Sequence, residues 1–233
     1  MNERVRTLII QFENPISRFE IPYFRGAILS SVNKDSILFH NHIDDGFRYA
    51  YPLIQYKRIG GKAAIVAVGE GTDAIGEFFA NRPLTIGIGN RTIELTTQNI
   101  EANNTLVQLW QEAQYYNLRG WVPFNSENWQ LYNQTESVAE QYAMLERILQ
   151  ANILSMLKGM NIHIDEHLSC AITHVVEQRV VKYKGVKVSS FDIQFKANIS
   201  IPKFVGIGKG VSLGHGIVTP QRHNTQPYNH NNL

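Results

Sequence analysis

The stretch Phe39-His40-Asn41-His42 has the residue types and spacing to move protons. In extended backbone, side chains two apart point to the same face with Cα atoms ~6.5–7 Å apart, so His40 and His42 can bracket one phosphate. Histidine titrates nearest neutral pH, and a pair can divide general base from general acid in a metal-free reaction. Tyr49 and Tyr51 follow, then Lys57 and Arg58, which can orient a reacting group and stabilise developing negative charge. Three other readings of the pair stand beside this one: loop residues on the surface, hydrogen-bonded structural groups, or two ligands of a metal site completed by Asp44 or Asp45. A metal site needs a third convergent ligand at a defined spacing, and the sequence supplies only the Asp44-Asp45-Gly46 stretch for it. The expectation is therefore no metal and no cofactor.

A second feature lies far along the chain, where Gly206, Gly208, Gly210, Gly214 and Gly216 fall in one short run with Lys209 and Ser212 among them. Glycine admits positive φ and lets another backbone come close, so a run this dense after a strand reads as a loop packed against something. Around it the charge is uneven. Residues 178–233 carry eight Lys and Arg against the single acid Asp192, whereas the rest of the chain carries 14 basic and 19 acidic side chains. A cationic segment on an otherwise acidic protein is the footprint of a polyanion partner, and a solvated basic sheet edge is the competing reading.

Several classes drop out. There is no G-x-S-x-G elbow for a serine hydrolase. A P-loop would need a hydroxyl residue after its lysine, and Lys209 is followed by Gly210. Gly69-Glu70-Gly71-Thr72-Asp73-Ala74 fits G-x-G-x-x-A in form, but the following segment is too short before Pro83 for a dinucleotide-binding crossover helix. The glycines there read instead as a tight strand-to-helix turn. Cys170 is the lone cysteine, read as a small buried hydrophobe, so neither an internal disulfide nor a zinc knuckle is available. Without a leader pattern or an apolar run of about 18 residues, the expectation is a cytoplasmic protein with no membrane partner.

The elements that must hold these residues alternate between strand and helix. Arg4 to Phe12 reads as a strand; Pro22 opens a helix over Tyr23 to Val32; Phe47 to Tyr56 and Lys62 to Val68 read as strands around the turn Arg58-Ile59-Gly60-Gly61. Thr72 caps a short helix ending near Asn81, and Leu84 to Thr97 is the next strand. That order is βαββαβ, ferredoxin-like. It recurs less cleanly after residue 100. Thr105 to Trp110 and Gly120 to Tyr132 read as strands. Thr135 caps the longest helix, with Val138, Tyr142, Leu145, Leu149 and Ile153 on one stripe and Gly159 closing it. A hairpin over Thr173–Tyr183 and Val186–Ile199 turns at Lys184-Gly185, and Val211 to Thr219 is the last strand. The fold class expected is α+β: two tandem ferredoxin-like (RRM-like) βαββαβ domains with antiparallel sheets, over residues 1–100 and 101–219, then a polar tail over 220–233 expected to be disordered.

Tandem ferredoxin-like halves, a histidine pair after the first helix, and Gly206-Ile207-Gly208-Lys209-Gly210-Val211-Ser212-Leu213-Gly214-His215-Gly216 before a terminal strand resemble the CRISPR-associated endoribonucleases that process repeat RNA. The resemblance implies metal-free cleavage of the repeat by attack of a ribose 2′-hydroxyl on the adjacent phosphate, leaving a cyclic phosphate. It makes His40 and His42 the acid and base, with Tyr49 and Lys57 beside them. It implies that Lys182, Lys184 and Lys187 grip the repeat's stem, and that Lys209 and the glycines Gly206, Gly208, Gly210, Gly214 and Gly216 meet RNA. The partners it implies are CRISPR repeat RNA and effector-complex proteins, with a homodimer left open. The chain departs from the pattern at His215, where an aromatic or aliphatic residue more often precedes the final glycine. Some relatives bind without cutting, so a non-catalytic RNA-binding subunit is the alternative.

Overall fold

The first strand already shows why the first sheet is covered on both sides. In β1 (Glu3–Pro15) the buried positions are Val5, Thr7 and Ile9 on one face and Ile10 and Phe12 after the alternation shifts. Only a strand with cover on both faces buries both sets. The computed structural model describes residues 3–31, 42–43, 46–47, 51–79, 84–183 and 185–221. His40, Tyr49, Lys184 and the tail beyond residue 221 lie outside the described residues. No described helix is long and apolar enough to cross a membrane.

After β1, a 3-10 turn at Arg18–Glu20 leads into α1 (Ile21–Ser31), which buries Ile21, Phe24 and Ile28 at helical spacing. Two short paired strands follow, β2 (His42–Ile43) and β3 (Gly46–Phe47). The hairpin β4 (Ile54–Ile59) and β5 (Lys62–Val68) turns at Gly60-Gly61, both at positive φ (59° and 87°), the backbone a two-residue hairpin loop requires. Next come α2 (Gly71–Phe79), a hairpin of β6 (Leu84–Ile88) and β7 (Arg91–Leu95), and β8 (Thr97–Val107). The sheet order is β4-β5-β1-β8, all antiparallel, the ferredoxin-like arrangement.

The second half repeats that order. Strand β9 (Leu109–Trp121) is followed by α3 (Ser126–Gln134), α4 (Val138–Gly159), β10 (Cys170–Tyr183), β11 (Val186–Ile199), a 3-10 turn at Val211–Leu213 and β12 (Ile217–Pro220). The sheet runs β10-β11-β9-β12. Where the first half places α2 between its third and fourth principal strands, the second places the glycine run. One core lies under α1 and holds Phe12, Phe24, Ile54 and Tyr56; the other joins Val5, Ile9, Val66 and Val68 of the first sheet to α4 and to Phe191, Ile193 and Phe195 of the second.

Several expected elements move. Leu84 to Thr97 is not the fourth strand of the first sheet. Gly89, at φ 59°, folds the segment into the β6–β7 hairpin, and the fourth strand is β8, which passes through residue 100 to Val107. The aromatics of Gly120 to Tyr132 divide between β9 (Trp121), the connection after it (Phe124) and α3 (Trp129 and Tyr132). The Asn125 side chain accepts from Asn128 N at 2.7 Å and starts a helix that brings Trp129 and Tyr132 together three residues apart. Thr135 ends α3, and Ser137 caps α4 in its place. On the α4 stripe Leu145, Leu149 and Ile153 are buried, while Val138 is 66% exposed. The Thr72 hydroxyl donates back to Gly69 O at 2.7 Å and does not cap α2. Val211–Leu213 is a 3-10 turn, so the last strand starts only at Ile217. Cys170 is half-buried with its thiol on Glu146 O, and burial followed by the Glu146 charge pushes its pKa up to about 11.

Candidate functional site

Strand β4 is the outer strand of the first sheet, and its two faces serve different partners. Ile54 and Tyr56 enter the core under α1, where the Tyr56 ring meets Phe24 edge-on at 5.8 Å. Gln55 and Lys57, which alternation places on the other face, are both 0% exposed. Gln55 ties the glycine run to β4, with its amide also donating to Pro52 O at 3.0 Å. Its Oε1 accepts from Gly206 N at 3.0 Å, its Nε2 donates to the Tyr51 hydroxyl at 2.9 Å, and that hydroxyl donates to Gly206 O at 2.8 Å. The backbone of Gly206 is thus read at both ends by the first half of the chain. Burial drives the Tyr51 phenol well above its ordinary pKa, so it stays protonated and structural.

The glycine run is a loop built on close approaches. A Cβ on Gly216 would overlap the carbonyl oxygen of Ile207, and one on Gly214 would lie 2.7 Å from Ile21 Cδ1 and 3.3 Å from Tyr56 O. Gly214 and Gly216 also sit at φ 81° and 64°, where a side chain is strained in any case. The loop therefore fits both the second sheet, through Gly216 N to Gly120 O at 3.0 Å, and the edge of the first. Gly159 shows the same logic at the end of α4, since a Cβ there would collide with Cβ of Tyr51.

At this seam lies the most unusual group of the chain. Lys57 Nζ has no hydrogen-bond partner among the described residues, and burial alone lowers its pKa to about 7. His215, in the loop, is half-buried with its ring edge-on to Tyr183 at 5.8 Å. Burial lowers its pKa, the Gly120 backbone works against that, and the charges of Lys57 and Arg18 lower it further. The loop segment that carries His215 abuts β4 beside Lys57, where the Gly214 position faces the Tyr56 carbonyl.

The basic hairpin has its own geometry. Lys182 and Lys187 are directly opposite each other on β10 and β11, and both are exposed. Like charges in that position repel and invite an anion between them. Arg179 is neutralised by Asp192 and Glu177, and Lys203 by Glu101 at 3.3 Å. Among the described residues Lys182, Lys187 and Lys209 have no carboxylate partner. Lys209 is exposed, and partial burial lowers its pKa. Of the expected catalytic set, the structure positions Lys57 and, by backbone only, His42 opposite Phe47. Reading by residue type missed Gln55. A buried glutamine between Ile54 and Tyr56 leaves no trace in composition, whereas His215 was visible as the polar residue inside the glycine run.

Two sheets of one strand order, the second with a glycine loop in place of a helix, define a tandem ferredoxin-like α+β protein. The family comparison is narrower: residues 3–106 match the Cas6b N-terminal domain and residues 108–221 the Cas6b C-terminal domain, and the chain belongs to the Cas6b family. A crystal structure of Cas6b is similar over 95% of this chain and 100% of its own, with TM-score 0.86 and 26% identity. A structure described as the CRISPR RNA processing endoribonuclease Cas6b shares the fold over 95% of this chain and 100% of its own, with TM-score 0.72 and 23% identity. The fold also extends to Csf5, described as a CRISPR-Cas type IV Cas6 crRNA endonuclease, with TM-score 0.57 and 12% identity over 94% of this chain and all of that one. An uncharacterised protein of Methanocaldococcus jannaschii is 38% identical over 98 residues, 42% of this chain and 65% of the relative's length.

Proposed function

We propose that this chain is an endoribonuclease that cuts CRISPR repeat RNA without a metal, by attack of a ribose 2′-hydroxyl on the adjacent phosphate to give a 2′,3′-cyclic phosphate and a 5′-hydroxyl. The observation that carries this reading is the match of both halves to one family of CRISPR proteins, joined at a seam where the glycine loop meets the strand bearing Lys57. His42 and His40 share the proton work, one removing the 2′-hydroxyl proton and the other supplying one to the leaving 5′-oxygen. Tyr49 assists. The commitment of the Tyr51 hydroxyl to Gly206 favours Tyr49 over its neighbour. Lys57 supplies positive charge close to the transition-state phosphate. RNA is the partner, its stem held at the Lys182, Lys184 and Lys187 hairpin with Lys209 and the glycine loop beside it, read through A-form shape and phosphates.

Single-turnover cleavage of RNA spanning one repeat, in EDTA, tests the assignment. His42→Ala and His40→Ala should each slow cleavage by roughly 10²–10⁴-fold with little change in binding. RNA binding without cleavage by the unaltered protein rejects the enzyme and leaves a non-catalytic RNA-binding subunit.

A further inference from the structure

Among the described residues Phe19 is the most exposed large apolar side chain, 85% accessible, on the 3-10 turn before α1. A single apolar side chain on a surface is ordinary. What sets this one apart is how firmly its backbone is held and what stands beside it. Before the ring, Ile16 is buried, its N donates to Gly61 O at 3.1 Å and its O accepts from Arg58 Nε at 2.6 Å. After it, the Glu20 carboxylate accepts from Ser17 N at 2.7 Å and from Arg91 Nε at 2.9 Å, and Arg91 also donates to Pro15 O at 2.9 Å. Ile21 then enters the core under α1. These bonds fix the turn whatever residue stands at position 19, and the phenyl ring itself adds little to the fold. Tyr23, 58% exposed, is four residues further on, and Ile21 between them is helical at φ −56° and ψ −43°, a spacing that puts the two rings on one side. Arg18 is exposed and has no carboxylate partner among the described residues, the Glu20 carboxylate being bound to Arg91. The turn also adjoins the glycine loop. Ile21 Cδ1 lies 2.7 Å from where a Cβ on Gly214 would be, and α1 packs against the 3-10 turn Val211–Leu213.

We propose that Phe19, with Tyr23 beside it, is a stacking platform for one unpaired base of the repeat RNA at the edge of the glycine loop. A nucleobase offers a flat π face to an exposed ring, and Arg18 gives the site the positive charge that suits a nucleic-acid strand. Because the turn is already fixed, seating the base orders little of the protein, which keeps the entropic cost of binding low. A protein partner is a poorer fit, since interface cores are contiguous apolar patches cleared of charge. Here the ring is flanked by exposed Ser17 and Arg18 and by the Glu20–Arg91 ion pair. Stacking of this kind makes no bonds to base edges. The platform therefore selects a nucleotide free of its pairing partner and is indifferent to which base it carries. It deepens the RNA-processing reading and rests on it.

Fluorescence anisotropy of the full chain with repeat RNA carrying 2′-fluoro at every ribose, which removes the nucleophile, tests this as a double-mutant cycle. One side of the cycle is Phe19→Ala, and the other is a set of RNAs each lacking a single base. Phe19→Ala should weaken binding roughly 5- to 100-fold, and Phe19→Trp should bind at least as tightly as the parent. At one position the abasic RNA should lose about that same factor with the parent protein and lose nothing more with Phe19→Ala. Exchanging the base at that position for another should change affinity by less than about 3-fold. The lost contact is uncharged, so the log–log salt slope of Phe19→Ala should equal the parent's. Its urea midpoint should match the parent's as well, because the ring is exposed. Equal affinities of the parent and Phe19→Ala, or losses that add at every position, overturn the platform and leave the ring to a protein contact. Cleavage of unmodified repeat RNA is measured in parallel. Coupling at one base without cleavage sinks the enzyme reading and keeps the platform, and cleavage without coupling does the reverse. Absence of RNA binding sinks both.

Discussion

Replacing Gly216 by alanine puts a methyl group where the Ile207 carbonyl oxygen already lies, at a residue held at φ 64°. Three costs add. The left-handed conformation costs a side-chain-bearing residue about 1–2 kcal/mol. Relieving the overlap requires the backbone to shift, typically about 1–3 kcal/mol. That shift strains two hydrogen bonds, Ile207 N to Gly216 O at 2.8 Å and Gly216 N to Gly120 O at 3.0 Å, each worth roughly 0.5–1.5 kcal/mol. The total, roughly 3–8 kcal/mol, is a large fraction of the 5–15 kcal/mol that holds an ordinary domain together. Gly185→Ala is the control. Gly185 also has positive φ, 84°, but a Cβ there meets nothing within 4 Å, so only about 1–2 kcal/mol is at stake. Urea unfolding followed by tryptophan fluorescence reads both, since the buried Trp121 lies against the loop at Gly208. The account expects Gly216→Ala to be unfolded or to lose most of its midpoint while Gly185→Ala shifts modestly. Equal losses in the two variants would refute the claim that the run is glycine-rich because it is closely packed.

Gln55→Leu leaves the Gly206 amide without its acceptor and takes from the Tyr51 hydroxyl the bond it accepts, though that hydroxyl still donates to Gly206 O, and should cost about 2–4 kcal/mol in urea unfolding, more than Asn14→Ala at an exposed site. Lys57→Met should stabilise the fold and disable the enzyme together. The amine's pKa is about 7 in the folded chain and near 10.5 unfolded, so folding carries the full penalty below pH 7. The penalty fades by roughly 1.4 kcal/mol per pH unit between those values. The stabilisation by methionine should thus be several kcal/mol at pH 6 and vanish near pH 10; a pH-independent difference would contradict the burial account. Lys182→Gln and Lys187→Gln should each flatten the salt dependence of RNA binding by about one counter-ion in log–log slope and leave the single-turnover rate at saturating protein unchanged.

Much of the architecture was legible because its signals are local. The Gly60-Gly61 turn, the Lys184-Gly185 hairpin position and the Leu145–Leu149–Ile153 stripe each declare themselves within a few residues. Failures arose where one pattern serves two structures. Trp129 and Tyr132, three apart, read as strand aromatics until the Asn125 cap is weighed, and Gly89 was read as part of a strand when it turns one. The close packing of the glycine run was legible in kind, but what it packs against was not. Gln55 and Tyr51 bond to Gly206 across about 150 residues of sequence, a relation that follows from the sheet order. The buried state of Lys57 is likewise tertiary, since on an outer strand alternation alone leaves a lysine's face undecided.

The central claim, that a ribose 2′-hydroxyl of the RNA is the nucleophile and no metal is needed, is tested most directly by a series of repeat RNAs each carrying a single 2′-deoxynucleotide, incubated with the protein in EDTA. Every member should be cut to leave a 2′,3′-cyclic phosphate and a 5′-hydroxyl, except the one whose deoxynucleotide lies immediately 5′ of the cut, which should stay intact. Cleavage of all members, or cleavage only after a divalent metal is added, would contradict it.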